Sequence, residues 1–285
     1  MLLFFVIYKT KVIKMRNAMW VGGGITGMGE IPMLGTAVKG LTALIRKIFH
    51  SGAQGFFYDP NDLSTMYQDA AGTVPVTSVG QPVGLIRDKS GNNNHAFQSA
   101  SASRPILRKN AVTGAKYLEF DGSDDFLQTN SVDFTATDKV ASIIAINTLA
   151  STGCVFETGT NVTSVNGTFG IFRGGKLQFG ARGTVYRLIN VDAAPIPEVL
   201  VGKADIKNAN LSINQNGQPF STMNQSLGVG NFGNHPLYIG RRGGTSLPFN
   251  GHLYSLIGIG RLTTDDETTA IEKELAKRVG VTLNV

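Results

Sequence analysis

The chain has 285 residues, of which 42% are apolar, 16% are charged and 35 are glycine. That apolar share excludes an unfolded chain, and Cys154, the single cysteine, excludes an intramolecular disulfide framework and suits assembly in a reducing cytoplasm. The net charge of +6 sits wholly in residues 1–50, where seven Lys and Arg face Glu30 alone; the remaining 19 basic and 19 acidic residues cancel, which argues against a phosphate-backbone ligand.

The N-terminus opens with Met1 to Ile7, an apolar run too short to span a bilayer. Its charges follow the run instead of preceding it, as a signal peptide would require, and Met15 is an alternative start. Residues 17–31 form a Gly-rich arm. The run from Val21 to Gly27 lacks the Lys-Ser/Thr ending of a phosphate loop. After Pro32, the residues Leu34, Val38, Leu41, Leu44, Ile45, Ile48 and Phe49 predict an amphipathic helix ended by Gly52 and Gly55. This helix either packs on its own domain or docks on another subunit. The Gly-rich arm and uneven charge favour docking, which makes Leu34, Val38, Leu41, Leu44, Ile45 and Ile48 the candidate anchor.

From residue 52 onward short β-rich runs alternate with turn residues. Strands are predicted at 83–88, 116–120, 140–149, 168–173, 176–182, 184–190, 199–204, 210–214, 237–241 and 251–261. Gly174-Gly175 and Asn216-Gly217 are hairpin turns. No long helical pattern separates the strands, so parallel βαβ units are excluded. The expectation is an all-β, two-sheet antiparallel jelly-roll sandwich covering 52–285, preceded by the 1–51 arm and helix. A short helix closes it. Thr263 and Thr264 precede three acids, Ile271, Leu275 and Val279 recur every four residues, and Gly280 stops the run.

Four segments resemble, in order, pieces of phage and prophage virion proteins with a concanavalin A-like, laminin-G-like jelly roll. They are Gly55–Ser64 (GFFYDPNDLS), Val83–Ala96 (VGLIRDKSGNNNHA), Tyr117–Leu127 (YLEFDGSDDFL) and Arg261-Leu-Thr with the helix ending at Val279-Gly-Val-Thr-Leu283. The resemblance spans about 52–285 and implies a virion protein, made in the host cytoplasm: a head-fibre, decoration, tail-fibre or baseplate component. Its partners would be other virion proteins, reached through residues 1–51, and it would be a homo-oligomer, with a trimer favoured. No coiled-coil pattern enforces one.

Three patterns carry candidate chemistry. Glu119, Asp121 and Asp124 approach the E-x-D-x-x-E strand of jelly-roll glucanases, whose retaining hydrolysis needs carboxyls about 5 Å apart. Gly122-Ser123 break the strand before Asp124, so these carboxylates read as turn formers, and catalysis is not expected. Asp88, Ser90, Asn92 and Asn94 alternate like calcium ligands. Position twelve, however, is Ser99, and an Asx-rich turn needs no ion. No cofactor is expected. Sugar recognition needs aromatic platforms beside polar groups. The loop aromatics Tyr67, Tyr186, Phe232 and Tyr254 supply candidates, with Tyr186, Arg187, Asn231 and His235 as the glycan-binding set. The leading reading is a non-enzymatic virion structural protein. The alternative is a receptor-binding lectin for a host-surface glycan.

Overall fold

The computed structural model describes residues 40–192 and 197–284. Within them lie helices α1 (Leu41–Phe49) and α2 (Asp265–Val279) and seventeen strands. The strands are β1 (Gly55–Tyr58), β2 (Met66–Tyr67), β3 (Leu85–Ile86), β4 (Ala96–Phe97), β5 (Ile106–Lys109), β6 (Lys116–Asp121), β7 (Leu127–Asp133), β8 (Lys139–Thr148) and β9 (Thr152–Thr158). They continue with β10 (Thr168–Gly174), β11 (Lys176–Arg182), β12 (Tyr186–Val191), β13 (Glu198–Asp205), β14 (Asn210–Gln215), β15 (Ser221–Asn224), β16 (Asn234–Ile239) and β17 (Asn250–Ile259).

All pairings are antiparallel and build two stacked sheets, as the turn chemistry predicts. Sheet A runs β15-β14-β13-β8-β17-β6-β5, with β1 also paired to β17; sheet B runs β12-β11-β10-β9-β16-β7-β4-β3-β2. Between them Phe56, Phe134, Phe156, Phe169 and Phe232 meet edge to face at centroid distances of 5.5–6.5 Å. A buried ion pair crosses the core: Arg173 on β10 donates to Glu198 on β13 at 2.7 Å. No helix among the described residues is long and apolar enough to cross a membrane.

The outer face of sheet A carries both helices. Strand β8 is apolar on both faces because Val140, Ile144 and Ile146 point between the sheets while Ala141, Ile143 and Ala145 point at the helices. Helix α2 has the predicted ends. Thr264 and Glu267 form a reciprocal capping box, and Gly280 takes the left-handed conformation at φ 77°.

Helix α1 requires a correction. Leu41, Ile45, Ile48 and Phe49 are buried in the same cluster as Ile257, Ile259, Ile271 and Leu275, and Leu44 packs half-buried against it. The Arg261 guanidinium donates to the Ile48 carbonyl at 2.9 Å. Helix α1 therefore belongs to the compact unit Gly40–Val285, not to a separate anchor ending at residue 51. The apolar stripe is taken up by its own sandwich, since burying each large aliphatic there is worth about 1.5–3 kcal/mol. The anchor candidates Leu34 and Val38 lie outside the described residues, as does the arm.

Several strands differ from expectation. Only Leu85–Ile86 of the expected 83–88 strand is extended, because the Asp88 carboxylate turns the chain by accepting from the Ser90 N–H. Asn216-Gly217 does form a tight turn, with both φ values positive, but β15 begins only at Ser221.

Candidate functional site

Among the described residues, no helix packs on the outer face of sheet B. Register places one outward residue per strand in a continuous row: Tyr67, Leu85, Phe97, Gln128, Tyr238, Glu157, Gly170, Gly180 and Leu188. Its two halves differ. On the glycine half, a Cβ at Gly180 would lie 3.0 Å from the Tyr186 ring and one at Gly170 2.8 Å from the Phe172 ring. The bare backbone there lets both rings lie across the sheet. Phe172, Cys154 and Val162 close over it as a small apolar cluster against which Tyr186 packs. Beneath the loops Glu157 is fully buried, held by Arg242 Nε at 3.2 Å and by the Val162 N–H at 3.2 Å. Burial pushes the Glu157 carboxyl up while the Arg242 charge opposes it. Burial, with Glu157 nearby, also drives the Cys154 thiol well up, which leaves it inert.

The aromatic half is open. A pocket of about 630 Å³ lies over β3, β4 and β7, bounded by Leu85, Arg87, Phe97, Asn130 and the Asn93–His95 turn. Its wall is built by Asp88. One carboxylate oxygen accepts from the N–H of Phe57 and of Ser90, both at 2.8 Å; the other accepts from the Asn94 N–H at 3.0 Å and the Ser90 hydroxyl at 2.7 Å. Asn92 and Asn94 turn their amides inward to the Gly55 carbonyl. These bonds account for the alternating oxygen-bearing residues as an Asx turn. Asn93 sits at the turn's crest with φ 61°, a conformation asparagine tolerates. His95 Nδ1 accepts from the Asp88 N–H at 3.1 Å, so the neutral ring carries its proton on Nε2. Arg87 lies over the Tyr67 ring, 4.6 Å from its centroid.

The predicted glycan set does not assemble. Tyr186 and Arg187 are on β12, whereas His235 is on β16 and Asn231 on the loop before it, with β11, β10 and β9 between. Four strand spacings are about 19 Å, too far for one sugar. Tyr186 packs beside the apolar cluster, Arg187 Nη1 donates to the Tyr186 carbonyl, Asn231 donates to the Thr135 carbonyl, and His235 Nε2 pairs with the Asn166 carbonyl. Phe232 and Tyr254 are buried in the core. Of these aromatics, Tyr67 touches a residue that lines the pocket, since Arg87 lies over its ring. Sequence reasoning missed Arg87, Phe97 and Asn130 because no local pattern links them.

The acidic segment forms a corner. Strand β6 ends at Asp121, Glu119 pairs with Arg108 at 3.1 Å, and Asp121 accepts from the Ser123 N–H. Asp124 accepts from the Ser103 hydroxyl, and Asp125, which no sequence pattern singles out, accepts from the Asp121 N–H. Carboxylate oxygens of Asp121, Asp124 and Asp125 lie within 4.8 Å of one another. Burial, then the Asp121 charge, pushes the Asp125 carboxyl up to about 6. Asp121 and Asp125 are turned onto the corner's own backbone and Asp124 onto the Ser103 hydroxyl, as a structural turn requires.

No protein-family model matches the sequence, and neither does any curated protein. Solved structures do. An arabinofuranosidase complexed with arabinofuranosyl-alpha-1,2-xylobiose superposes with a TM-score of 0.58 at 12% identity, covering 82% of this chain and 65% of that one. A GH54 arabinofuranosidase soaked with a cyclic sulfate inhibitor gives 0.56 at the same identity and over the same shares. The chain thus spans just under two thirds of the length of these enzymes. Ruminococcus gnavus IT-sialidase CBM40, bound to alpha2,3 sialyllactose, gives 0.40 at 17% identity, covering 51% of this chain and 97% of that module. The chain has the jelly-roll sandwich fold found in glycoside hydrolases. At 12% identity the likeness establishes the fold alone, and the superposition at 0.40 adds nothing to it.

Proposed function

We propose that the protein is a non-catalytic glycan-binding sandwich whose site is the open pocket on the outer face of sheet B. The observation that carries this reading is the pocket itself. One aromatic face (Phe97), one guanidinium (Arg87), one imidazole (His95) and two amides (Asn93, Asn130) converge on a single cleft of about 630 Å³. Sugars are bound by that combination, with the ring face on an aromatic and the hydroxyls on planar polar groups. The fold shared with carbohydrate-active sandwiches agrees with it. Hydrolysis is left out of the reading because Glu157, the row's carboxylate, is fully buried beneath Arg242 and the Val162 loop, and the Asp121–Asp125 corner is hydrogen-bonded into its turn.

A glycan array with the full chain tests this. Binding to a subset of host-surface glycans, lost in Phe97→Ala with the fold intact by circular dichroism, is expected; an array without signal overturns it.

A second reading concerns where the module is carried. The four ordered motifs support a phage particle, with the protein as a fibre, decoration or baseplate component. With α1 taken up by the sandwich, attachment to other virion proteins falls to the basic, Gly-rich residues 1–39. Purified particles lacking the protein when residues 1–39 are deleted would support it, and unchanged incorporation would overturn it.

A further inference from the structure

The pocket's charge is unbalanced, and the imbalance points to a class of sugar. Two charged side chains line it. Asp88 is only 9% exposed and its two oxygens accept four hydrogen bonds from within the chain, so it has little left to offer a ligand. Arg87 is the opposite case. It is exposed, and among the described residues its guanidinium has neither a carboxylate partner nor a hydrogen-bond acceptor. The neighbouring acids are already engaged. Asp62 takes Lys89 at 2.7 Å, Asp59 takes Arg278 at 2.6 Å, and Asp69 accepts from the N–H groups of Thr73 and Val74.

The Tyr67 ring beneath Arg87 does more than hold a cation. A guanidinium held over an aromatic face keeps its N–H groups available to an acceptor. Its edge is a two-donor fork, which matches a carboxylate with two parallel hydrogen bonds and matches a hydroxyl poorly. Phe97 lies one strand away from Leu85 on the same face, and Leu85 is the register partner of Tyr67. A flat ring for the sugar's apolar face and a guanidinium fork for an acid therefore line the same pocket.

We infer that the pocket takes a carboxylate-bearing sugar, with Arg87 forked on the carboxylate and Phe97 against the ring. This rests on the glycan-binding reading above and adds the ligand's charge to it.

Calorimetric titration with matched pairs, methyl glucuronide against methyl glucoside and sialyllactose against lactose, tests the inference. The acidic member of each pair should bind about ten- to a hundredfold more tightly, and raising the salt should narrow the gap. Arg87→Gln should remove most of the gap within each pair, lowering the acidic sugar far more than its neutral partner, and should leave the fold intact because Arg87 is exposed. Arg87→Lys should restore part of the preference, because charge returns without the fork. Equal affinities within each pair, both lowered by Phe97→Ala, would overturn the inference while leaving the glycan reading standing. No binding of any of the four sugars would overturn both.

Discussion

The two outer faces of the sandwich are opposites, although both are built from the same alternating strands. On sheet A the outward residues of β8, β13 and β17 include Ala141, Ile143, Ala145, Val199, Val201 and Ile257, and two helices cover them. On sheet B the outward residues include Gln128, Asn130, Gln178 and Asn190, and no described helix covers them. An apolar face must be sealed against water, and a chain with only two described helices seals one face. The other face has no such cover among the described residues, and the proposed recognition site lies there. A helix that sequence periodicity marks as an anchor is thus better explained by the apolar sheet beneath it.

The largest expected effect comes from the link between the sheets. Arg173→Met leaves Glu198 buried without its partner and should cost about 3–5 kcal/mol in urea denaturation. The covered face comes next. Ile45→Ala in α1 and Ile271→Ala in α2 should each cost about 2–5 kcal/mol, through lost burial and the cavity left behind. If Ile45→Ala left the stability of the isolated chain unchanged, α1 would be free for docking and the contrast between the faces would fail.

A smaller effect follows from pH. Burial pushes the carboxyl of Glu272, on the buried face of α2, up to about 7 from its ordinary 4.5, while a hydrogen bond from the Gly217 backbone and then the Lys203 charge oppose it. The folded state then holds a proton that the unfolded state releases. Stability from this group is fully present below about pH 4.5 and is lost as pH rises towards 7. Asp125, at about 6, acts in the same direction. Glu272→Gln should flatten that decline by about 1–3 kcal/mol, measured as unfolding free energy against pH. The smallest effect belongs to the open face. Asn130→Ala should shift stability by less than about 0.5 kcal/mol but weaken glycan binding by about 0.5–1.5 kcal/mol in calorimetry.

Much of the fold was legible because its signals are local. The capping box at Thr264, the stop at Gly280 and the apolar runs of β8 and β17 each act within one element. The four ordered motifs were legible for a related reason, and the structure explains their chemistry. Asp59 of the first accepts from Arg278 beside the fourth at 2.6 Å and pairs with Lys89 of the second at 3.4 Å, and Asn61 accepts from the Lys116 N–H next to the third at 2.9 Å. Burial pushes the Asp59 carboxyl up, but hydrogen bonds and charge from Arg278 and Lys89 outweigh it and hold it below the usual range. The motifs are one corner of the fold, seen in sequence as four pieces. For that reason they say little about a ligand.

The pocket was not legible. The sequence by itself determined that this chain makes short antiparallel strands, two stacked sheets and a capped terminal helix, since alternation, turn residues and caps act over a few neighbours. Tertiary structure alone decided that Arg87, Phe97 and Asn130 share one cleft, with Tyr67 under Arg87. They meet through the register of β2, β3, β4 and β7, and the closure of the whole sheet fixes that register. It also decided which face stays open, because only the folded sandwich shows where the two helices lie.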